Sequence, residues 1–242
     1  ANNTATGKQA LGANTTGAHN TAHGSRALLT NTTASGNTAV GNDALLLNTT
    51  GAGLVAVGYT ALDANTTGDW NTACGYTALG VNTTGAQNTA VGTFSLDANT
   101  TGVNNTAVGY AALGANTTAA DNTAVGFEAL KVTTTGHSNT AVGKVSLVAN
   151  TEGLRNTALG FNAGGGVTNG DDNTMIGIFA GNHAVGTTTG IQNTLIGAQT
   201  RADSAGSGQT VAIGYDVAGT GGYTTLGNAG SDIRALHGNI TW

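Results

Sequence analysis

Apolar and polar positions recur along this chain with a period of seventeen residues. The period is clearest in the segment NTAVGTFSLDANTTGVN, residues 88–104, in which Asn88 is taken as position one. Position five of every unit is a glycine: Gly7, Gly24, Gly41, Gly58, Gly75, Gly92, Gly109, Gly126, Gly143, Gly160, Gly177, Gly197, Gly214 and Gly227. Their spacing is seventeen as far as Gly177, and then twenty, seventeen and thirteen. A short fixed period predicts a solenoid, because stacked units bury an apolar face that one unit cannot bury alone.

Each unit contains two short apolar or β-branched runs, and each run ends at Gly or Asn. Positions two to four are commonly Thr-Ala-Val, positions eight and nine are a small residue and Leu, and positions twelve to fifteen are commonly Asn-Thr-Thr-Gly. This pattern predicts two strands and two turns per coil. A helix is disfavoured because each glycine costs about 1 kcal/mol in a helix and no continuous apolar stripe exists. The predicted fold is an all-β β-solenoid of 17-residue coils, regular over 1–160 and irregular over 161–242.

Alternation along the predicted strands assigns side chains to the inside or outside of the coil. Position ten accepts charged residues such as Asp97 and Lys131, so it is expected to face water. The leucines at position nine and the residues at position eleven are then expected to point inward. The column at position four, which contains Val91, is expected to be buried opposite them. Cys74 lies in that column and is predicted to be a small buried hydrophobe.

Position three is Ala in eleven of the fourteen units, and Ala90 is one example. It points away from position four, so it is expected on the outside of the coil. A solvent-facing column would vary more, and a coil of seventeen residues buries little core by itself. The alanine column is therefore predicted to contact other copies of the chain. Asparagines at positions one and twelve are predicted to stack into hydrogen-bonded ladders.

Composition narrows the class of protein. Charged residues are 8% of the chain, glycine numbers 40, proline is absent and the formal net charge is −5. So few cations argue against a nucleic-acid partner. The sequence contains no run of eighteen apolar residues, so membrane insertion is not expected. The strict phase of Val and Leu favours an ordered structure over a disordered low-complexity tract. Because the repeat is already in phase at Asn3, the chain is expected to be a segment of a longer protein.

Three repeats carry a resemblance to a known family: NTACGYTALGVNTTG at 71–85, NTAVGYAALGANTT at 105–118 and NTAVGFEAL at 122–130. They resemble the repeats of phage tail-fibre proteins, and the segment 224–242 resembles the lead-in to the intramolecular chaperone with which such fibres often end. The resemblance covers nearly the whole chain. It implies a parallel homotrimeric β-solenoid fibre in the virion, which binds a host cell-surface glycan or protein receptor. The similarity of 224–242 also raises natural cleavage after Trp242 as a hypothesis, which the sequence leaves open.

Two alternative functions stay open. The strand motif VAIG at 211–214 is similar to the head repeats of trimeric autotransporter adhesins, although the seventeen-residue period and the C-terminal segment favour the phage family. That similarity implies a trimeric adhesin at the bacterial cell surface. The second alternative is an ice-binding or extracellular structural β-solenoid, because flat threonine arrays can order water. Glu152 interrupts the array, and Thr is in any case a good strand residue.

The sequence predicts no catalytic residue, cofactor or metal site, so the chain is not expected to be an enzyme. A glycosidase needs two carboxyl groups across a cleft, whereas the carboxylates here are scattered. Asp171 and Asp172 are adjacent and are interpreted as a solvated turn, with Ca²⁺ binding as the alternative. His19 and His23 have a spacing that brings ligands together only on a helix. His23 lies at position four and is expected either to be buried and neutral or to mark a looser coil; a metal held by His from three copies stays open.

Receptor binding is expected in the irregular units after Gly160, because loops on a rigid scaffold often carry recognition. The candidates lie between 164 and 190 and between 215 and 223. They are Asn169, Asp171, Asp172, His183, Tyr215 and Tyr223. Position six also carries aromatic residues, namely Tyr59, Tyr76, Tyr110, Phe127, Phe161 and Tyr215. These rings either stack on sugars or cover the coil edge or a neighbouring chain, and the second interpretation is favoured.

Overall fold

The computed structural model describes residues 2–182, 189–228 and 230–236. The chain divides into two compact units, Ala1–Asp121 and Asn122–Trp242. Both are parallel β-solenoids, and the chain contains about 13 coils of 17 residues. No residue within the described ranges is helical, so these ranges also contain no helix that is long and apolar enough to cross a membrane. The all-β fold and the seventeen-residue coil are therefore confirmed.

The first unit contains seven strands that pair in parallel in the order of the sequence. They are β1 (Thr4–Thr6), β2 (Thr21–His23), β3 (Thr38–Val40), β4 (Val55–Val57), β5 (Thr72–Cys74), β6 (Thr89–Val91) and β7 (Thr106–Val108). Each residue lies opposite its equivalent one period later, as Ala90 does with Ala107. At a spacing of about 4.8 Å per strand, β1 and β7 are roughly 29 Å apart.

The second unit begins with the same regular coils and ends irregularly. Its strands are β8 (Thr123–Val125), β9 (Thr140–Val142), β10 (Thr157–Leu159), β11 (Thr174–Ile176), β12 (Thr194–Ile196), β13 (Arg201–Ala202), β14 (Val211–Tyr215), β15 (Ala218–Gly219), β16 (Tyr223–Asn228) and β17 (Ser231–Leu236). The parallel sheet runs β8, β9, β10, β11, β12, β14 and β16, and β17 pairs antiparallel with β16. Strands β13 and β15 form a separate parallel pair.

Each regular coil contains one strand of three residues, so the prediction of two strands per coil was wrong. The segment that carries the leucine is a series of turns instead. Phe94 and Leu96, at positions seven and nine, have φ angles of 58° and 49°, and Asn104 at position seventeen has 58°. Such left-handed residues cost about 1–2 kcal/mol each for ordinary side chains, so the closed coil must hold them in place. Their repetition in every coil turns the chain back on itself within seventeen residues.

The interior of the coil is filled from positions three, eight and nine. Ala90, Ser95 and Leu96 are all fully buried. Because Ala90 points inward, its neighbours Thr89 and Val91 in β6 point outward. The predicted burial of the leucine column is confirmed, whereas the predicted faces of the alanine and valine columns were reversed. The leucine leaves little room opposite it in so thin a coil, and the methyl group of alanine fits that space.

The irregular coils show that positions three and nine share one space. Leu at position nine is replaced by Gly164 and then by Gly181, and position three becomes Met175 and then Leu195. A methyl group added to Gly164 would lie 2.9 Å from the Met175 Cε and 2.8 Å from a methyl of Leu147. Similarly, one added to Gly181 would lie 2.6 Å from the Met175 Sδ. The larger residue at position three thus fills the volume that the missing leucine vacates.

Two asparagine ladders run along the coils, as predicted. At position twelve, Asn99 donates from Nδ2 to Asn82 Oδ1 at 2.8 Å and to the Gly102 carbonyl at 3.1 Å. At position one, Asn88 donates to the same Gly102 carbonyl at 2.8 Å and accepts the backbone N–H of Asn105 at 2.9 Å. The two ladders therefore meet at the carbonyl of position fifteen. They satisfy buried backbone groups that the short strands leave without partners.

Candidate functional site

The outer side of the strands carries a column of mostly apolar side chains next to a column of threonines. We define the strand face as the side chains at positions two and four of β1 to β12. Val57 and Val91 are each 37% exposed there and Leu159 is 47% exposed. These positions carry no Lys, Arg, Asp or Glu in any of the twelve strands. The valine column that was expected in the core is therefore a surface, and the position-three alanines, predicted to contact other copies, are enclosed in their own coil.

Three further burial predictions were wrong. Cys74 and His23 are exposed at position four, because the alanine before each one occupies the core. Leu47 and Val81 at position eleven are 46% and 47% exposed. The turn after the leucine does not continue the alternation of a strand, so position eleven does not follow position nine inward. Cys74 is thus an accessible thiol in the strand face.

Aromatic residues form rows beside the strand face. In the first unit the ring centroids of Tyr59 and Tyr76 are 5.5 Å apart and nearly parallel. Phe94 meets Tyr76 edge-on at 5.5 Å and Tyr110 edge-on at 6.0 Å. Tyr59, Tyr76 and Tyr110 are nevertheless 51%, 48% and 44% exposed. The rings therefore cover one another along the coils and still offer exposed area to a partner.

A similar aromatic row lies in the second unit. Phe161 and Phe179 meet edge-on at 5.2 Å. The Lys144 ammonium lies 5.5 Å from the Phe127 ring centroid and 6.0 Å from that of Phe161. This geometry suits cation–π attraction, which is worth about 0.5–1 kcal/mol at exposed sites.

The acidic receptor candidates are engaged by the preceding coil. Asp171 Oδ1 accepts the backbone N–H of Leu154 at 2.8 Å. Asp172 binds the Arg155 guanidinium through two hydrogen bonds of 2.6 Å and 2.9 Å, and this contact lowers the pKa of Asp172. Asn169 lies exposed in the same turn. The two carboxylates therefore link this turn to the preceding coil.

The tyrosine candidates are separated along their strands. Tyr215 ends β14 and Tyr223 begins β16, and these strands are parallel, so the two residues lie at opposite ends of the pair. Tyr215 is 59% exposed. Tyr223 lines an open groove of about 350 Å³ with Thr220 and Arg234. His183 lies outside the described residues. Receptor binding by any of these residues stays a prediction.

A groove that the sequence analysis missed lies between two carboxylates in the first unit. Asp63 and Asp97 occupy position ten in coils that flank Gly80, and the missing side chain opens a groove of about 390 Å³ lined also by Phe94. Burial raises the pKa of both carboxyl groups, and hydrogen bonds from the backbone partly oppose it. No group of three metal-ligating side chains occurs in the described part of the chain. The alternation of Asp and Gly at position ten is the signal that would have revealed this groove.

In comparisons with protein families, with curated proteins and with solved structures, no match to this chain was found.

Proposed function

We propose that this chain is a structural segment of a homotrimeric attachment fibre of the phage tail-fibre type. In this proposal it lies in the virion and contributes to binding a host cell-surface glycan or protein receptor. The observation that carries the proposal is the uniform bonding between coils. In the first unit the position-twelve asparagine bonds repeat at each step from Asn14 to Asn116, as between Asn82 and Asn99. The position-one bonds, as between Asn88 and Asn105, repeat except at Leu54. In such a repeat array each coil contacts only its neighbours, so a shaft gains length by adding coils that make the same contacts.

The resemblance of the repeats supports the same proposal, since the sequences of 71–85 and 105–118 resemble those of tail-fibre repeats. The receptor region is proposed in the irregular units after Gly160, where turns differ from coil to coil. A trimeric adhesin shares this assembly and differs in its anchoring, so it remains the first alternative.

The ice-binding alternative is less well supported. Thr49, Thr66 and Thr83 at position thirteen each donate the hydroxyl to a carbonyl of the next coil, at 3.0–3.1 Å. Hydroxyls held in this way are less free to order an external water lattice. They act instead as a third ladder along the stack.

The first test is the solution mass of the chain by light scattering, without denaturant. The proposal predicts three times the chain mass of 23.5 kDa. A monomer at micromolar concentration would reject the homotrimer. The second test is competition, in which excess purified chain should slow the adsorption of virions to host cells. Trimers that neither bind cells nor compete would restrict the role of the segment to that of a shaft.

A further inference from the structure

We propose that copies of this chain pack through the strand face, parallel and in register, so that Cys74 of one copy lies beside Cys74 of the next. This inference rests on the assembly proposed above and names its interface. The alanine column at position three cannot form this interface, because Ala73 and Ala90 are fully buried within their own coil. The strand face repeats once per coil, lacks charge and exposes the apolar column at position four.

The face has two columns, threonine at position two of every strand except β4 and mostly apolar residues at position four. Val57 and Val91, which end β4 and β6 on either side of Cys74, are each 37% exposed. Position four becomes Leu or Ile in later coils, as in Leu159 and Ile176. Large contiguous apolar patches on soluble proteins mark interaction surfaces.

Each unit presents this face on every regular coil. Each three-residue strand spans about 10 Å and occupies about 4.8 Å along the stack, or roughly 50 Å². The seven strands of the first unit therefore present about 350 Å². The exposed rings beside them, each leaving roughly 60–120 Å² uncovered, are Tyr59, Tyr76 and Tyr110. The first unit thus offers about 600 Å² per copy by itself, and the second unit repeats the face in β8 to β12.

The period of the face selects a second copy as its occupant. Apolar side chains recur about every 4.8 Å along it, and another copy presents side chains at the same spacing. A globular partner offers no such repeat.

The order of residues within the column selects the parallel alignment. In the first unit position four is Thr6 and His23 in the first two coils and Val91 and Val108 in the last two. Parallel copies in register set valine against valine and the polar members against each other. Antiparallel copies would bury polar groups against valine, which costs free energy when they lack partners. Parallel contacts of this heterologous kind close into rings, which agrees with a cyclic trimer.

The native thiol provides the first test. The full chain is treated with a short bismaleimide, which joins two cysteines through thioether bonds and needs no oxidant. The proposal predicts covalent pairs in high yield, and a three-armed maleimide should give covalent trimers. The matched control is C74A/T84C, which moves the thiol to an exposed threonine of the same coil outside the strand face. The control should give little product under the same conditions.

The second test places charge on the face. The variant V57E/V91E should convert the trimer to a monomer, because carboxylates from neighbouring copies would be buried together. The matched control T67E/T101E adds the same charges at exposed positions of the same coils and should stay trimeric. Far-UV circular dichroism establishes that each variant retains its strands.

The outcomes separate this inference from the proposed function. A trimeric chain in which Cys74 does not cross-link and V57E/V91E remains trimeric would overturn the interface and leave the homotrimer standing. A monomeric native chain would overturn both. Cross-linking of Cys74 together with loss of the trimer in V57E/V91E supports the strand face.

Discussion

The asparagine ladder at position twelve gives the sharpest quantitative prediction, through the variant Asn99→Ala. Asn99 is fully buried and donates to Asn82 Oδ1 at 2.8 Å and to the Gly102 carbonyl at 3.1 Å. Its own Oδ1 accepts from Asn116 Nδ2 at 2.8 Å. The substitution removes all three hydrogen bonds and leaves the remaining partners enclosed.

The size of the loss depends on which partners are left unsatisfied. Gly102 keeps its bond from Asn88, whereas Asn82 Oδ1 and one N–H of Asn116 lose theirs. A buried polar group left unpaired costs about 1–3 kcal/mol, so two of them predict a destabilisation of roughly 4 kcal/mol. The missing amide also leaves a small cavity, which adds to the loss.

The assay is urea unfolding followed by far-UV circular dichroism at one fixed protein concentration, because assembly makes stability depend on concentration. The matched control is Asn104→Ala, an exposed amide of the next turn with one hydrogen bond to Asp121. It should cost no more than about 1 kcal/mol, which is the penalty of placing alanine at the Asn104 φ of 58°. Equal effects of Asn99→Ala and Asn104→Ala, or a loss below about 1 kcal/mol for Asn99→Ala, would refute the role assigned to the ladder.

Three further predictions use the same urea assay. Gly92→Ala should destabilise by about 3 kcal/mol or more, because φ is +135° and the new methyl would lie 2.5 Å from a carbonyl oxygen of the next coil. Gly102→Ala should cost less, although its methyl would lie 2.4 Å from a carbonyl oxygen of the next coil, because position fifteen has no positive φ and already accepts alanine in two other units. Val145→Asn should stabilise by roughly 0.5–1 kcal/mol, because φ is 53° and Asn tolerates that conformation better than a β-branched residue. Asp63→Asn/Asp97→Asn should stabilise the protein at pH 7 and have less effect at low pH. Because the folded-state pKa of each carboxyl group is raised, the protonated carboxyl contributes stability that is complete below the ordinary value of 3.8. That stability is lost as the pH rises through the folded-state pKa, and the substitutions remove the resulting penalty at pH 7.

Each of these predictions has an outcome that contradicts it. The glycine argument fails if Gly102→Ala costs as much as Gly92→Ala. Loss of stability in Val145→Asn would mean that apolar contact outweighs backbone strain there. A pH-independent effect of Asp63→Asn/Asp97→Asn would mean that burial does not raise the two pKa values.

The receptor candidates illustrate where sequence reasoning stopped. Irregular spacing directed attention to Asn169, Asp171 and Asp172, but it contained no information about Leu154 and Arg155, seventeen residues earlier, which bind the two carboxylates. These contacts form only where adjacent coils stack on each other. The groove at Asp63 was missed for a similar reason, because it is lined by residues of three successive coils.

The sequence by itself determined the coil length, the parallel register and the asparagine ladders. A strict period of seventeen brings like residues together in successive coils, and stacked asparagines such as Asn82 and Asn99 then bond with little dependence on the path between them. Alternation also required positions three and four to face opposite sides, but it did not decide which side was inside. The tertiary structure decided that, because left-handed turns close the coil so tightly that Leu96 leaves space for the methyl group of Ala90 and not for a valine. The same limit on volume applies where Gly164 replaces the leucine and the larger Met175 fills the space of the alanine and the leucine. The valines therefore lie on the outside, in the strand face.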